Sequence, residues 1–274
     1  MSAQTQTRRK TVRDIAKAKG GEPLVCLTAY DATVASLLDP YCDVILVGDS
    51  VGMVVHGLPS TVGVTLEMMI LHGQAVMRGA SQAFVVVDMP FGSYETNSDQ
   101  AFLNAARIMR ETGCQAVKIE SGAYAATQIR HMVERGIPVM GHVGLRPQAT
   151  NIDGGFRAKG RTETEWNRAI EEAQAADEAG AFAIVVEGVA PDLADEITAA
   201  VKCPTIGIGA SSRCDGQILV TNDLLGMTDW VPKFVKKNAD LKSVIEDAAA
   251  TYAEEVKSRA FPGEAQTYKL RKTT

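Results

Sequence analysis

The sequence predicts a single (β/α)8 barrel, and three observations predict it. Short aliphatic runs alternate with helix-like segments from one end of the chain to the other. The runs are near-continuous in apolar residues, as parallel strands buried on both faces require. Eight such units fit within 274 residues, the ordinary size of that barrel. No linker, composition break, low-complexity tract or close repeat interrupts the chain. It therefore reads as one domain over 1–274, with a short N-terminal extension (1–10) and a C-terminal tail (261–274). A doubly wound open sheet is the competing architecture, but no GxGxxG stands between a strand and a helix.

The strand candidates are LVCLTA (24–29), VILVGD (44–49), FVVVD (84–88), AVKIE (116–120), IPVMGHVG (137–144), FAIVVE (182–187) and PTIGIG (204–209). WVPKFVKK (230–237) is a weaker eighth, because Pro232 confines it to an edge or a strand start. Between them, 97–112 reads as a helix capped by Asn97 or Ser98 and ended by Gly113, and 165–179 as a helix ended by Gly180. Near the C-terminus Leu241, Val244, Ile245, Ala248, Tyr252 and Val256 recur at i, i+3, i+4, i+7, one face of an amphipathic helix.

Composition narrows the function classes. With 46% hydrophobic and 22% charged residues, the chain is not mainly disordered. A net charge of −5 argues against a broad nucleic-acid surface, which needs clustered Lys and Arg. Five scattered cysteines (Cys26, Cys42, Cys114, Cys203, Cys214) form no CxxC pair and read as reduced, packed thiols. The first fifteen residues are basic but lack the apolar stretch of a secretory signal, and no run approaches a membrane span. A soluble, cytoplasmic protein without nucleic-acid or membrane partners is expected.

The chemistry gathers at the strand ends. Asp49, Asp88, Glu120 and Glu187 each close or nearly close an apolar run. In a barrel, the C-terminal ends of all strands meet on one rim, where the loops build the site. Ala116, Lys118 and Glu120 alternate along one strand and so face the same side. Lys118 then lies within the barrel and needs an anion nearby. Several carboxylates at one rim repel unless protons or a cation intervene. Oxygen donors without a His/Cys cluster favour Mg²⁺ over zinc, and His56, His72, His131 and His142 lack the HExxH spacing. Any one of these acids alone also reads as a helix cap. His142 reads equally as a packed side chain or a catalyst, and GIGAS (207–211) as a phosphate cradle or a tight turn. The methionines of LEMMILHGQAVM read as core, and the final KLRKTT as a solvated tail.

VILVGDSVGMVVHGLPSTVGVT, VVVDMPFGSY, AVKIES, GIPVMGHVGLRPQ, GGFRAKGR, VVEGV and PTIGIGASSRCDGQILVTNDLLGM occur in this order, and together they resemble the successive motifs of the ketopantoate hydroxymethyltransferase family over most of the chain. The resemblance implies a barrel of the phosphoenolpyruvate/pyruvate type, Mg²⁺, 5,10-methylenetetrahydrofolate as co-substrate, a place in pantothenate synthesis and a homodecamer of two pentameric rings. It puts metal-linked acids on Asp49, Asp88 and Glu120, and substrate contacts on Asp49, Ser50, Asp88 and Lys118. The proton acceptor falls on Glu187. Ser121, Arg146, Lys159 and Ser211 stand where the family commonly has glycine, threonine, glutamine and glycine; none is a proposed ligand or base.

The reaction implied is hydroxymethyl transfer to 3-methyl-2-oxobutanoate, giving 2-dehydropantoate through an Mg-stabilised enolate. Lys118 would offset the substrate carboxylate, Ser50 would donate a hydrogen bond, and Glu187 would take the C3 proton. An Mg-dependent lyase or mutase of the isocitrate lyase type is the alternative, although the chain has no KKCGH-like loop. A non-catalytic binding barrel is a third reading. No short motif marks the folate contacts.

Overall fold

The computed structural model describes residues 8–120 and 122–269. Ser121, most of the N-terminal extension (1–7) and the end of the C-terminal tail (270–274) lie outside the described residues. The chain divides into two compact units, 1–221 and 222–274.

The first unit is a closed barrel of eight parallel strands in chain order. They are β1 (Leu24–Thr28), β2 (Val44–Val47), β3 (Phe84–Asp88), β4 (Ala116–Lys118), β5 (Val139–Gly144), β6 (Ala183–Glu187), β7 (Thr205–Ile208) and β8 (Gly216–Leu219). Seven fall inside the runs read from the sequence. The eighth does not: 230–237 forms no strand, and β8 is the short GQIL of the DGQILV segment. Gln217 is exposed and breaks the apolar run, which hid this strand from pattern reading. Gly216 is needed where the barrel closes on β1, since a Cβ there would lie 2.7 Å from the Leu24 Cβ and 2.8 Å from its carbonyl oxygen.

Strand alternation sorts side chains into two cores. Leu24, Cys26, Val44, Leu46, Phe84, Val86, Ala116, Met140, Ala183, Val185, Ile206 and Ile218 fill the barrel interior, and Ile15 of the N-terminal helix Val12–Ala16 joins them. The intervening residues, among them Ile45, Val47, Val85, Val87, Val117, Val139, Ile184 and Val186, pack outward with the helices. Continuing each inward series by two residues gives Asp88 after Val86, Lys118 and Glu120 after Ala116, His142 after Met140, and Glu187 after Val185. The apolar column thus becomes polar at one rim.

The predicted helices are present. Ser98–Thr112 is capped by the Asn97 side chain, which accepts from the Gln100 amide, and ends at Gly113. The second begins two residues early, as Glu163–Glu178 behind the Thr162 cap. In the second unit the helix Leu241–Lys257 carries no buried residue. All five cysteines are unpaired and buried. No described helix is long and apolar enough to cross a membrane.

Candidate active site

The β3–β4 register sets Asp88 beside Lys118. Their side chains form an ion pair, Lys118 Nζ to Asp88 Oδ1 at 2.7 Å, with each at most 5% exposed. Burial alone would pull the Lys118 ammonium down, but Asp88, Asp49 and Glu120 together raise it above its ordinary value. It stays charged, with N–H donors to spare beyond the one on Asp88.

Asp49 sits in the turn after β2. Its backbone amide donates to Asp88 Oδ2 (3.1 Å), and its own Oδ2 accepts from Gln148 Nε2 (2.9 Å). Ser50 follows, leaving its hydroxyl uncommitted to capping the helix Val51–Val54 and bonded instead to the Tyr30 hydroxyl at 2.8 Å. Gly48 keeps that hydroxyl in place, because a Cβ at 48 would lie 2.8 Å from Ser50 Oγ. Glu120, two residues beyond Lys118, accepts from the Gln148 backbone amide at Oε2 (3.0 Å).

Glu187 ends β6 with its side chain 16% exposed, the most accessible acid of the four. Burial, reinforced by Asp49 and Asp88 against the opposing pull of Lys118, pushes its carboxyl up to about 8. Burial and the charge of Asp88 likewise push Asp49 up to about 7, and burial with Asp49 drives Glu120 well above the usual range. His142 is buried and held neutral, first by burial and then by Lys118. Its Nε2–H donates to the Leu145 carbonyl (2.6 Å) and stands 3.5 Å from Glu187 Oε2.

The sequence-derived residues therefore meet at one rim. Asp88, Lys118, Asp49 and Glu120 are joined through direct bonds or the shared Gln148, with Glu187 and His142 alongside. Four carboxylates face one ammonium, so protons or a further cation must balance them. Among the described residues no three His, Cys, Asp or Glu side chains are drawn together closely enough to enclose an ion. The donors are nonetheless the hard carboxylate oxygens suited to Mg²⁺, and no thiol competes among them.

Pattern reading overlooked Tyr30, which bonds Ser50, and Tyr94 and Gln148, which bond at Glu120 and Asp49. Tyr94 ends PFGSY, and Gln148 ends GLRPQ on the loop after β5; a polar residue shortly beyond a strand end was the available signal. GIGAS behaves as a braced turn, with the Ser211 hydroxyl donating to Asp195 Oδ1 (2.6 Å) and its carbonyl accepting from Gln217 Nε2 (2.8 Å). Lys159 pairs with Asp153 at 2.6 Å.

Residues 9–264 match the family described as Ketopantoate hydroxymethyltransferase. The chain is 75% identical over 272 residues to the 3-methyl-2-oxobutanoate hydroxymethyltransferase of Hyphomonas neptunium, covering 99% of each chain. It is 65% identical over 277 residues to that of Maricaulis maris, covering 100% of this chain and 99% of the other. Among solved structures it is similar to phosphonopyruvate hydrolase (TM-score 0.62, 13% identity, 95% of this chain and 92% of that one). It is also similar to 2,3-dimethylmalate lyase, a PEP mutase/isocitrate lyase superfamily member (TM-score 0.59, 15% identity, 94% and 89%). At these identities the two structures speak for the fold alone.

Proposed function

The chain belongs to the ketopantoate hydroxymethyltransferase family, and from that premise we propose that it transfers a hydroxymethyl group from 5,10-methylenetetrahydrofolate to 3-methyl-2-oxobutanoate, with Mg²⁺, to give 2-dehydropantoate for pantothenate synthesis. The observation that carries the reading is the buried Asp88–Lys118 pair with Asp49, Glu120 and Glu187 on the same rim.

Asp49, Asp88 and Glu120 would hold the ion. When bound, Mg²⁺ would draw electron density from the 2-oxo group and so acidify the neighbouring C3–H. Lys118, already charged and buried, offsets the substrate carboxylate without having to be desolvated anew. The Ser50 hydroxyl, oriented by Tyr30, donates to a substrate oxygen. Glu187 takes the C3 proton: a carboxyl pushed up to about 8 is a stronger base, once ionised, than an ordinary glutamate. The electron pair left on C3 forms the bond to the one-carbon unit, water supplies the hydroxyl, and the carrier leaves as tetrahydrofolate.

Turnover of 3-methyl-2-oxobutanoate with methylenetetrahydrofolate, in Mg²⁺ and again in excess chelator, tests the proposal. Product with the metal and none with chelator is expected. Equal turnover in both would remove the metal from the account; no turnover in either would remove the reaction.

A further inference from the structure

One neutral residue, Gln148, bonds into the site through both its main chain and its side chain. The Gln148 backbone amide donates to Glu120 Oε2 (3.0 Å). Its side-chain Nε2 donates to Asp49 Oδ2 (2.9 Å) and to the Met89 carbonyl (3.0 Å). Its Oε1 accepts from the Tyr94 hydroxyl (2.5 Å), and that hydroxyl in turn accepts from the Glu120 backbone amide (3.2 Å). Gln148, Tyr94, Asp49 and Glu120 are all buried.

The partners leave no freedom in this arrangement. A main-chain carbonyl can only accept, so Met89 fixes which end of the Gln148 amide carries the NH₂ group. The other end is then an acceptor, and the single Tyr94 hydroxyl proton goes to it. Both amide hydrogens, the amide oxygen and the Tyr94 hydroxyl are satisfied, as a buried polar group requires. The network ties together the chain after β2, the end of β3, the loop carrying Tyr94, the residue beyond β4 and the loop after β5. An apolar residue at 148 would keep the backbone bond to Glu120 but lose those to Asp49, Met89 and Tyr94.

We propose that Gln148, locked by Tyr94, is the positioning residue of the cation site: its side chain holds Asp49 by Oδ2 and its backbone amide holds Glu120 by Oε2, setting how the two carboxylates are presented. This inference rests on the reading that Asp49 and Glu120 hold Mg²⁺. Two carboxylates accepting N–H bonds on chosen oxygens keep a fixed orientation before any ligand arrives. By contrast, an isosteric glutamate at 148 would offer Asp49 an acceptor where it now has a donor.

Calorimetric titration of the 274-residue chain with Mg²⁺ tests this, using Gln148→Met, Gln148→Glu, Tyr94→Phe and, as reference, Asp49→Asn. Losing a group that hydrogen-bonds a metal ligand commonly costs about 10–100-fold in metal affinity. Gln148→Met and Gln148→Glu are expected to fall in that range, Tyr94→Phe to show a smaller loss of the same sign, and saturating Mg²⁺ to restore much of kcat in Gln148→Met. A merely structural role would lower the unfolding midpoint without moving the affinity of the folded protein. If the wild type binds no Mg²⁺, or Asp49→Asn binds it equally well, the metal reading itself fails. If binding needs Asp49 but both Gln148 variants match the wild type within twofold, only the positioning inference fails. Should the Gln148 variants not fold, Tyr94→Phe, which loses one hydroxyl, decides: unchanged affinity overturns the inference.

Discussion

Asp88 and Lys118 stand opposite each other in the β3–β4 register, and their side chains meet at 2.7 Å inside the barrel mouth. The pair is buried, so each charge depends on the other. Removing one partner of such a pair commonly costs about 3–5 kcal/mol, because it strands the survivor in a poor solvent. Lys118→Met is expected to destabilise the metal-free protein by roughly that amount. Adding Asp88→Asn to it should recover part of the loss. Urea unfolding of the two single variants and the double variant reads the coupling; additive losses would mean that the ion pair is not a unit.

Glu187 is the residue assigned to proton removal, and it can be separated from binding. Glu187→Gln keeps the shape and loses the base. Exchange of the C3 hydrogen for deuterium, followed by proton NMR, is expected to slow by about 10²–10⁴-fold. Binding of 3-methyl-2-oxobutanoate should persist. Exchange at the wild-type rate would take the role away from Glu187.

The same residue sets a pH dependence. Burial pushes the Glu187 carboxyl from 4.5 up to about 8, so between those values the folded protein keeps a proton that the unfolded chain has released. When the native state binds more protons, stability falls as pH rises. Glu187 therefore costs stability progressively from about pH 4.5 to about pH 8. Unfolding midpoints at several pH values should show the metal-free wild type losing ground to Glu187→Gln across this window, and parallel curves would contradict the assignment. C3 exchange should rise over the same range as the base ionises, with the rise moving to lower pH when Mg²⁺ is added.

Asp39 offers a control far from the chemistry. Burial raises its carboxyl, but the backbone amides of Ala83, Ser81 and Gln82 outweigh that and hold it below the usual value. Its oxygens accept those amides at 2.8–3.0 Å, together with the Ser81 hydroxyl, and so tie the end of the helix Ala32–Leu38 to the entry of β3. Asp39→Ala leaves these donors short of a partner, and a loss of roughly 1–3 kcal/mol is expected. The contribution of Asp39 is present above about pH 3.8 and disappears as pH falls through its lower folded value. Urea midpoints at pH 7 and pH 3 test both points; an equal deficit at the two pH values would be the contrary result.

Much of this was legible in the sequence because parallel strands write a simple pattern. Val86 to Asp88 and Val185 to Glu187 are one inward step each, so an acid ending an apolar run had one place to go. Strand β8 escaped because GQIL is four residues long and carries an exposed Gln217, whereas 230–237 is longer and holds Trp230, Val231, Phe234 and Val235 yet joins no strand ladder among the described residues. Gln148 and Tyr94 escaped for a different reason. Their importance lies in hydrogen bonds between loops, such as Gln148 to Asp49 across 99 positions, and local periodicity does not encode such contacts.

The central claim is that acids from separate strands serve one divalent cation. Calorimetric titration of the wild type and of Asp88→Asn with Mg²⁺, each at one pH and ionic strength, tests it most directly. The account predicts one ion per chain in the wild type and a marked loss of affinity in the variant. Identical isotherms for the two proteins would contradict it.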